Sequence, residues 1–523
     1  MPYESEGRLP VIYVRGFAGS NPDTAVDDPF YGFNEGSVHA RVDGSGEPRF
    51  HQFESPMLRL ITDEGYQLLV HGDQRAYLEG SGEKEVPANT LWVHRFYDVS
   101  ASTFGRKPEK FSLEHAAEDL FKLIKLVLRK TGAPRVFLVA HSMGGLICRS
   151  LIQRVIPNAS DPSLPAAQRL RAATSYVARV FTYATPHGGI EFSVGWGMVE
   201  RFRDHTGFQG ADIFGPQRMY EYLTPDLPDQ PNLEDFDARR MPAAGFPLDD
   251  LFCLVGTNPE DYSVALGLSS KAVGARSDGL VQIDNAYVVG AHRAMVHRSH
   301  SGRYGIVNSE EGYQNLRRFL FGDLQVKVEL VGLDVQGSEA DDVVWQLETA
   351  MSIRGLPVLL HEQSTAHYCP VQIEKRSGRD AADTPVPLLT TFLSSQASRP
   401  TKNGQPVPLL RHALKLRLLS VRERNGVFAF FDHLEQTEDW QDVLVVDIAP
   451  ATEQQLPRAW AAWNSDLAMA IRDWTPDDAA ELNDTDTEPG RWRGEIRLPD
   501  IAHQLLGRDA RLRLTVTKRT ADV

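Results

Sequence analysis

The sequence predicts a chain in two parts: an α/β domain with a mostly parallel sheet, followed by a β-rich domain that resembles a sandwich. Up to about Gly322, short apolar runs alternate with segments whose apolar residues recur at helical spacing. Beyond that residue, short β-type segments follow one another, separated by polar turns. The length of 523 residues also favours more than one domain, and we place the two at 1–322 and 323–523.

The elements of the first domain are predicted from the period of their apolar residues. Apolar runs of strand length indicate strands buried on both faces, and helices between such strands indicate a parallel sheet. Ser112 is the predicted cap of the first long helix. The predicted strands are 9–17, 90–98, 135–140, 178–186, 250–256 and 293–300, and the predicted helices are 112–130, 145–155 and 309–322.

The second domain contains seven segments that alternate in polarity or are rich in β-forming residues, which predicts an antiparallel sheet or sandwich. Their sequences are LQVKVELVGL, VPLLTTFLSS, ALKLRLLSV, VFAFFDHL, DVLVVDIAP, RWRGEIRLP and ARLRLTVTKR. One helix-like segment, 456–474, interrupts them, and we expect the acidic stretch 475–490 to be a solvated loop. Without a chemical motif, this domain is expected to bind a substrate polymer, to be an interaction or assembly module, or to stabilise the first domain.

Composition argues against several classes of protein. The chain is 42% apolar and 24% charged, as in ordinary globular proteins, and its net charge of −15 argues against nucleic acid or an anionic membrane as main partner. Three cysteines form no disulfide framework, and no apolar run predicts a transmembrane segment. The start, MPYESEGRLP, lacks the features of a signal peptide. We therefore expect a cytoplasmic protein, with signal-independent secretion as the alternative.

The segment from Ala140 to Gly144 reads Ala-His-Ser-Met-Gly and lies between a predicted strand and a predicted helix. This is the nucleophile-elbow pattern G-x-S-x-G with alanine in the first glycine position. Small residues are needed there because the serine occupies a tight, strained turn, and the helix that follows presents free N–H groups to a developing oxyanion. The alternative is a glycine-rich turn that carries an ordinary serine. The pattern makes Ser142 the candidate nucleophile, with the N–H of Met143 as an oxyanion donor.

A second oxyanion donor is expected from the loop after the first strand, where Gly16 permits a turn and Phe17 offers its N–H. The alternative is a plain glycine turn. The orienting acid is predicted to be Asp278, in a small-residue turn after the strand at 250–256, with Asp284 as its competitor. An ordinary Asp-Gly turn is the alternative explanation of Asp278.

Three histidines follow the acid, and any of them could be the general base of a serine hydrolase. We favour His300, which lies among small residues at the end of the last predicted strand. His297 falls inside that strand, where packing or pairing is expected, and His292 comes just before it. The sequence alone leaves the choice between them open.

Residues 9–322 resemble the α/β-hydrolase superfamily, in particular its lipase and carboxylesterase branch. The resemblance rests on the segments VIYVRGFAG, VAHSMGGL, YATPHGG and RSDGLV. It implies an α/β-hydrolase fold, with a nucleophile, an acid and a base in that chain order. It also implies these roles: nucleophile Ser142, acid Asp278, base His300, and oxyanion donors Phe17 and Met143. Arg15 departs from the family, which usually has histidine there, and the resemblance makes His187 a support for a strand end.

The long insertion at about 190–248 is expected to be a cap or lid over the site. Its apolar side chains suit an acyl chain or an aromatic ester, although they could equally fill a core of the cap itself. The candidate pocket residues are Trp196, Phe192 and Met198, together with Phe202, Phe214 and Met219.

These features predict a serine carboxylesterase or lipase that hydrolyses a hydrophobic carboxylic ester and needs no metal or organic cofactor. Its expected partner is a small-molecule or lipid ester. A phospholipase, thioesterase or acyltransferase could use the same three residues, and a non-catalytic binding protein with a hydrolase-like domain is the alternative of another class. The sequence does not determine the natural ester or the oligomeric state.

Overall fold

The computed structural model describes residues 8–16, 37–42, 48–53, 55–70, 74–94, 112–190, 211–260, 275–301, 305–335, 343–373, 384–394, 401–402, 405–406, 410–423, 434–450, 457–488 and 490–519. The chain divides into two compact units. The first consists of Met1–Arg293, His297–Leu316 and Ala521–Val523, and the second of Ala294–Val296 and Arg317–Thr520.

The central feature of the chain up to residue 296 is a six-stranded sheet with helices, as the alternating apolar pattern predicts. Strands up to residue 296 are β1 Val11–Val14, β2 Ser37–Val42, β3 Pro48–Phe53, β4 Leu91–His94, β5 Val136–His141, β6 Val177–Tyr183, β7 Leu251–Gly256 and β8 His292–Val296. The sheet has the order β4-β1-β5-β6-β7-β8, and β2 pairs with β3 in a separate hairpin. Strand β1 pairs in parallel with β4 and β5, β5 with β6, and β6 with β7. The carboxyl ends of these strands therefore meet at one edge, where the loops after β1, β5 and β6 come together.

Helices follow the strands and bury their apolar faces. The α-helices up to residue 321 are α1 Ser55–Glu64, α2 Gln74–Gly80, α3 Leu113–Thr131, α4 Met143–Ser150, α5 Ile156–Ala159, α6 Ala166–Arg171, α7 Pro216–Leu223 and α8 Glu310–Phe321. A π-helical turn, Leu151–Val155, joins α4 to α5, and short 3-10 turns lie at Ala172–Ser175, Ala211–Phe214, Leu233–Asp235, Leu248–Asp250, Ile283–Asn285 and Ile306–Asn308.

Helix α3 shows how local sequence sets these boundaries. Ser112 caps it as predicted, since its side chain accepts a hydrogen bond from the N–H of His115. Gly132 ends it in the left-handed conformation with φ of 71°. Between these caps, Leu120, Ile124 and the other apolar positions on one face are buried in the core. Of the helices in the described ranges, none is long and apolar enough to cross a membrane.

The second unit is β-rich and its main sheets are antiparallel, as its alternating segments predict. Its elements are β9 Leu324–Val331, β10 Val343–Ile353, β11 Leu359–Gln363, β12 Val371–Ile373, β13 Val386–Leu393, β14 Thr401–Lys402, β15 Gln405–Pro406, β16 Leu410–Glu423, β17 Leu434–Ala449, β18 Arg458–Trp463, β19 Arg491–Arg497, α9 Asp500–Leu506 and β20 Arg511–Lys518, with 3-10 turns at Asn464–Asp466, Ile471–Asp473 and Asp478–Ala480. One sheet has the order β11-β10-β16-β17-β18, with β12 also on β10, and another the order β13-β9-β20-β19. The two sheets contribute to one apolar core.

The helix predicted at 456–474 is wrong. This segment forms β18, which pairs with β17 so that Trp463 lies opposite Leu444. Trp460 packs with Val445 and Trp474 in a small cluster. Two 3-10 turns, Asn464–Asp466 and Ile471–Asp473, follow β18 along the chain. Alanine favours a helix locally, but strand pairing and tryptophan burial outweigh that preference.

Two other strand predictions have different outcomes: one strand is shorter than predicted, and one segment is mostly outside the described residues. The strand predicted at 293–300 ends at Val296, so His297 and His300 lie beyond it. Most of the predicted segment VFAFFDHL lies outside the described residues.

Candidate active site

Ser142 lies in a strained turn between β5 and α4. Its backbone has φ of 52° and ψ of −127°, a conformation that L-residues rarely adopt. The Ser142 N–H donates to the carbonyl of Tyr183 at 2.9 Å. Its carbonyl accepts from the N–H of Gly145 at 3.0 Å and from the hydroxyl of Thr185 at 2.9 Å. Three hydrogen bonds thus hold the strained peptide in place.

The glycines after Ser142 are required by close packing. A Cβ on Gly144 would lie 2.3 Å from the carbonyl oxygen of Val14, and one on Gly145 would lie 2.1 Å from the Thr185 hydroxyl. Both distances are far below van der Waals contact. These glycines therefore let α4 lie directly against the ends of the neighbouring strands.

The side chains of Ser142, His300 and Asp278 form one hydrogen-bonded chain. His300 Nε2 lies 3.0 Å from Ser142 Oγ, and His300 Nδ1 lies 2.9 Å from Asp278 Oδ2. A carboxylate only accepts, so Nδ1 carries the imidazole proton and Nε2 is free to accept from the serine hydroxyl. This is the arrangement in which a histidine can remove a proton from a serine.

Asp278 is fixed by its own turn. Its Oδ1 accepts from the N–H groups of Leu280 at 3.0 Å and Val281 at 2.8 Å, and its main-chain carbonyl accepts from the His300 N–H at 2.8 Å. Gly279 has φ of 97°, which explains the glycine in Asp-Gly. Only 1% of Asp278 is exposed, so its carboxylate is a buried charge satisfied by N–H donors.

The competing residues lie elsewhere. Asp284 is exposed and pairs with Arg276 at 3.1 Å. His297 is exposed, with Nδ1 at 3.4 Å from the hydroxyl of Thr257, and is not inside the strand as expected. His292 is buried in β8 with Nε2 at 3.4 Å from Asp249. The structure therefore brings His300 to Ser142 through a contact that it gives to neither of the other two histidines.

The predicted oxyanion donors are partly described. Met143 begins α4, where the first N–H groups of a helix have no partner within it and the helix dipole is positive. Gly16 lies beside the nucleophile, since a Cβ on it would be 3.2 Å from Ser142 Cβ. Phe17 itself lies outside the described residues. Gly16, the last described residue after β1, therefore lies next to the nucleophile.

His141 is a site residue that the sequence reasoning missed. Its Nε2 lies 3.0 Å from the main-chain oxygen of His300, and the two ring centroids are 5.1 Å apart. Burial, followed by the charge of His300, lowers the pKa of His141 to about 3. The elbow pattern leaves this position variable, so it carries no signal for such a contact.

His187 is completely buried near the carboxyl end of β6. Its Nε2 lies 3.1 Å from the hydroxyl of Thr182 and 3.5 Å from Cys253 Sγ. Burial and the nearby charge of Arg149 keep its pKa well below the usual histidine value. Among the described residues, no three His, Cys, Asp or Glu side chains are grouped as a metal site would require.

Arg149 is a fully buried cation that joins the helix after Ser142 to two other segments. Its guanidinium donates to the main-chain oxygens of His187 at 3.1 Å, Ala238 at 2.6 Å and Arg240 at 3.2 Å. Burial lowers the pKa of Arg149 to about 10, so it remains charged at neutral pH. These bonds anchor part of the 190–248 insertion to α4.

Of the six apolar side chains predicted to line a pocket in that insertion, two are among the described residues. The pocket candidates Trp196, Phe192 and Met198 lie outside the described residues, as does Phe202. Met219 is 1% exposed and belongs to the main core of the first unit, and Phe214 packs against the same core. These last two side chains therefore pack in the main core of the first unit and not in a separate core of the cap.

No protein-family model matches the chain, and no curated protein matches it. Comparison with solved structures gives low scores. A gene product of Listeria innocua is 12% identical, with a TM-score of 0.26, and the match covers 60% of this chain and 94% of that one. Lipase 1 from Pelosinus fermentans is 13% identical, with a TM-score of 0.20, and the match covers 57% of this chain and 90% of that one. Similarities this low carry no argument about function.

Proposed function

We propose that the protein is a serine ester hydrolase of the carboxylesterase or lipase type. The observation that carries this proposal is the hydrogen-bonded chain from Ser142 Oγ through His300 to Asp278, with distances of 3.0 and 2.9 Å. The positive φ of Ser142 and the helix that starts directly after it support the same conclusion. The hydrogen-bonded chain is the arrangement that activates a serine for acyl transfer, and the turn and helix are typical of a nucleophile elbow.

In the acylation step, His300 Nε2 takes the proton of the Ser142 hydroxyl while Oγ attacks the carbonyl carbon of the ester. The tetrahedral oxyanion accepts hydrogen bonds from the N–H of Met143 and from that of Phe17. Protonated His300 then gives its proton to the departing alkoxide, and the alcohol leaves. Asp278 stabilises the imidazolium and keeps its ring oriented.

In the deacylation step, a water molecule takes the place of the alcohol. His300 removes a proton from that water, whose oxygen attacks the acyl carbon. Collapse of the second tetrahedral intermediate returns the proton to Ser142 Oγ and releases the carboxylic acid. The cycle needs no metal or organic cofactor.

The substrate class is proposed from the sequence of the insertion. Phe192, Trp196 and Met198 would line an acyl site, which favours a hydrophobic carboxylic ester. Phospholipids and acyl thioesters as substrates, and alcohols as acyl acceptors, are offered in parallel with simple esters. The products distinguish hydrolysis of a carboxylic ester from phospholipase, thioesterase and acyltransferase activity.

The test uses p-nitrophenyl butyrate and a fluorophosphonate probe with the full-length protein. We expect the wild type to hydrolyse the ester and to be labelled on Ser142. Ser142→Ala should lose both activities, because it removes the nucleophile but leaves the fold. Ser150→Ala, at a buried serine in the helix that follows Ser142, is the matched control and should keep both. Full activity in Ser142→Ala, or an inert wild type, would contradict the proposal.

A further inference from the structure

His141 lies between the proposed base and the loop that follows β1. Only 4% of it is exposed, and its Nε2 is 3.0 Å from the main-chain oxygen of His300. On the other side of the ring, a Cβ on Gly16 would lie 2.8 Å from His141 Nδ1. The imidazole therefore lies against Gly16 and against the main chain of His300.

The protonation state of His141 follows from this contact. A carbonyl oxygen only accepts hydrogen bonds, so Nε2 carries the proton and donates it to His300. The pKa of His141 is lowered to about 3 by burial, and next by the charge of His300. The ring consequently stays neutral near pH 7 and does not compete for the proton that His300 carries during turnover.

We propose that His141 is a positioning residue that holds the backbone of His300 in register with Ser142, an inference that rests on the proposed ester hydrolysis. Several contacts hold His300 in place. Its N–H donates to the Asp278 carbonyl at 2.8 Å, its carbonyl accepts from His141, and its two ring nitrogens face Asp278 and Ser142. His141 supplies the hydrogen bond to the main-chain carbonyl of His300.

This role predicts an effect on turnover and not on substrate binding. A displacement of about 1 Å in a reacting group can lower a rate about 100-fold. We therefore expect His141→Phe, which keeps a ring but removes the donor, to lower kcat about 10-fold to 100-fold with KM within about twofold of the wild type. Fluorophosphonate labelling of Ser142 should slow by the same factor.

Matched variants separate positioning from a general loss of packing. In His141→Gln, the amide nitrogen can reach the position of Nε2, so most of the activity should return. In His141→Asn, the shorter side chain cannot reach it, and kcat should stay low. Leu138→Val, in the same strand, removes buried volume without touching the donor and should leave kcat unchanged. Thermal unfolding of every variant shows whether the fold is intact.

Several outcomes would overturn this role. One is a wild-type kcat in folded His141→Phe. Another is equal activity of the Gln and Asn variants, and this comparison tests the role even if the Phe variant does not fold. NMR of ¹⁵N-histidine-labelled protein tests the same contact without activity, with His141→Gln assigning the signal. We expect the Nε2–H tautomer and no titration from about pH 5 to about pH 9, and a midpoint in that range would contradict the proposal. A wild type that neither hydrolyses esters nor reacts with fluorophosphonate contradicts the proposed function itself, even where the NMR result holds.

Discussion

Replacing Asp278 by asparagine tests whether the acid orients the proposed base. Two backbone donors decide how the new amide lies. The N–H groups of Leu280 and Val281, at 3.0 and 2.8 Å from Oδ1, require an acceptor, so the amide oxygen takes that position. The amide NH₂ then faces His300 Nδ1, which must accept. The imidazole proton moves to Nε2, where it faces Ser142 Oγ and prevents the ring from acting as a base.

The magnitude follows from the cost of the opposite amide orientation, which would restore the correct tautomer. That orientation leaves two buried N–H groups without an acceptor, at about 1–3 kcal/mol each. A total of about 2–6 kcal/mol corresponds to about 30-fold to about 10⁴-fold, since about 1.4 kcal/mol is a factor of ten. The loss of the charge that stabilises the imidazolium adds to this. We expect kcat to fall about 10²-fold to 10⁴-fold.

The assay is steady-state hydrolysis of p-nitrophenyl butyrate by purified Asp278→Asn, with Asp284→Asn as the control. Asp284 was the competing acid, and it is exposed and paired with Arg276. Its replacement should change kcat less than about twofold. A loss of less than about tenfold in Asp278→Asn, or an equal loss in Asp284→Asn, would refute the assignment of the acid.

Two further predictions concern packing and pH. Gly145→Ala should destabilise the protein by about 1–3 kcal/mol and lower esterase activity, because its Cβ would lie 2.1 Å from Thr185 Oγ1. The control for denaturant unfolding is Gly80→Ala, whose added Cβ would meet no atom within 4 Å. Equal unfolding midpoints of the two variants would contradict the packing argument. Burial is the main cause that lowers the pKa values of His94, His141 and His412, to about 4, 3 and 4. Below about pH 6.5 the unfolded chain therefore binds more protons than the folded chain, and the free energy of unfolding should fall as the pH drops towards 4. His412→Leu should reduce this dependence by about 1.4 kcal/mol per pH unit, measured by urea unfolding at several pH values, and an unchanged slope would show that His412 does not contribute.

The alternation of strands and helices was predictable because each element carries its own apolar period. Strands such as β5 are buried on both faces and consist almost wholly of apolar residues, and the N-terminal cap of α3 is readable from Ser112. The segment at 456–474 was not predictable in this way. Its alanines favour a helix locally, and its strand exists only because β17 lies alongside to receive it.

The sequence by itself determined the candidate nucleophile, since the strand, the turn with its small residues and the helix are contiguous around Ser142. It also limited the acid and the base to a few residues. Only the tertiary structure decided that His300 reaches this serine, that Asp278 reaches His300, and that Asp284 and His297 lie elsewhere. The physical reason is that these contacts join residues far apart in the chain, 158 positions apart for Ser142 and His300, and are made by loops at the carboxyl edge of one sheet. The contact of His141 with the His300 carbonyl has the same origin, because no local pattern encodes a hydrogen bond across 159 positions.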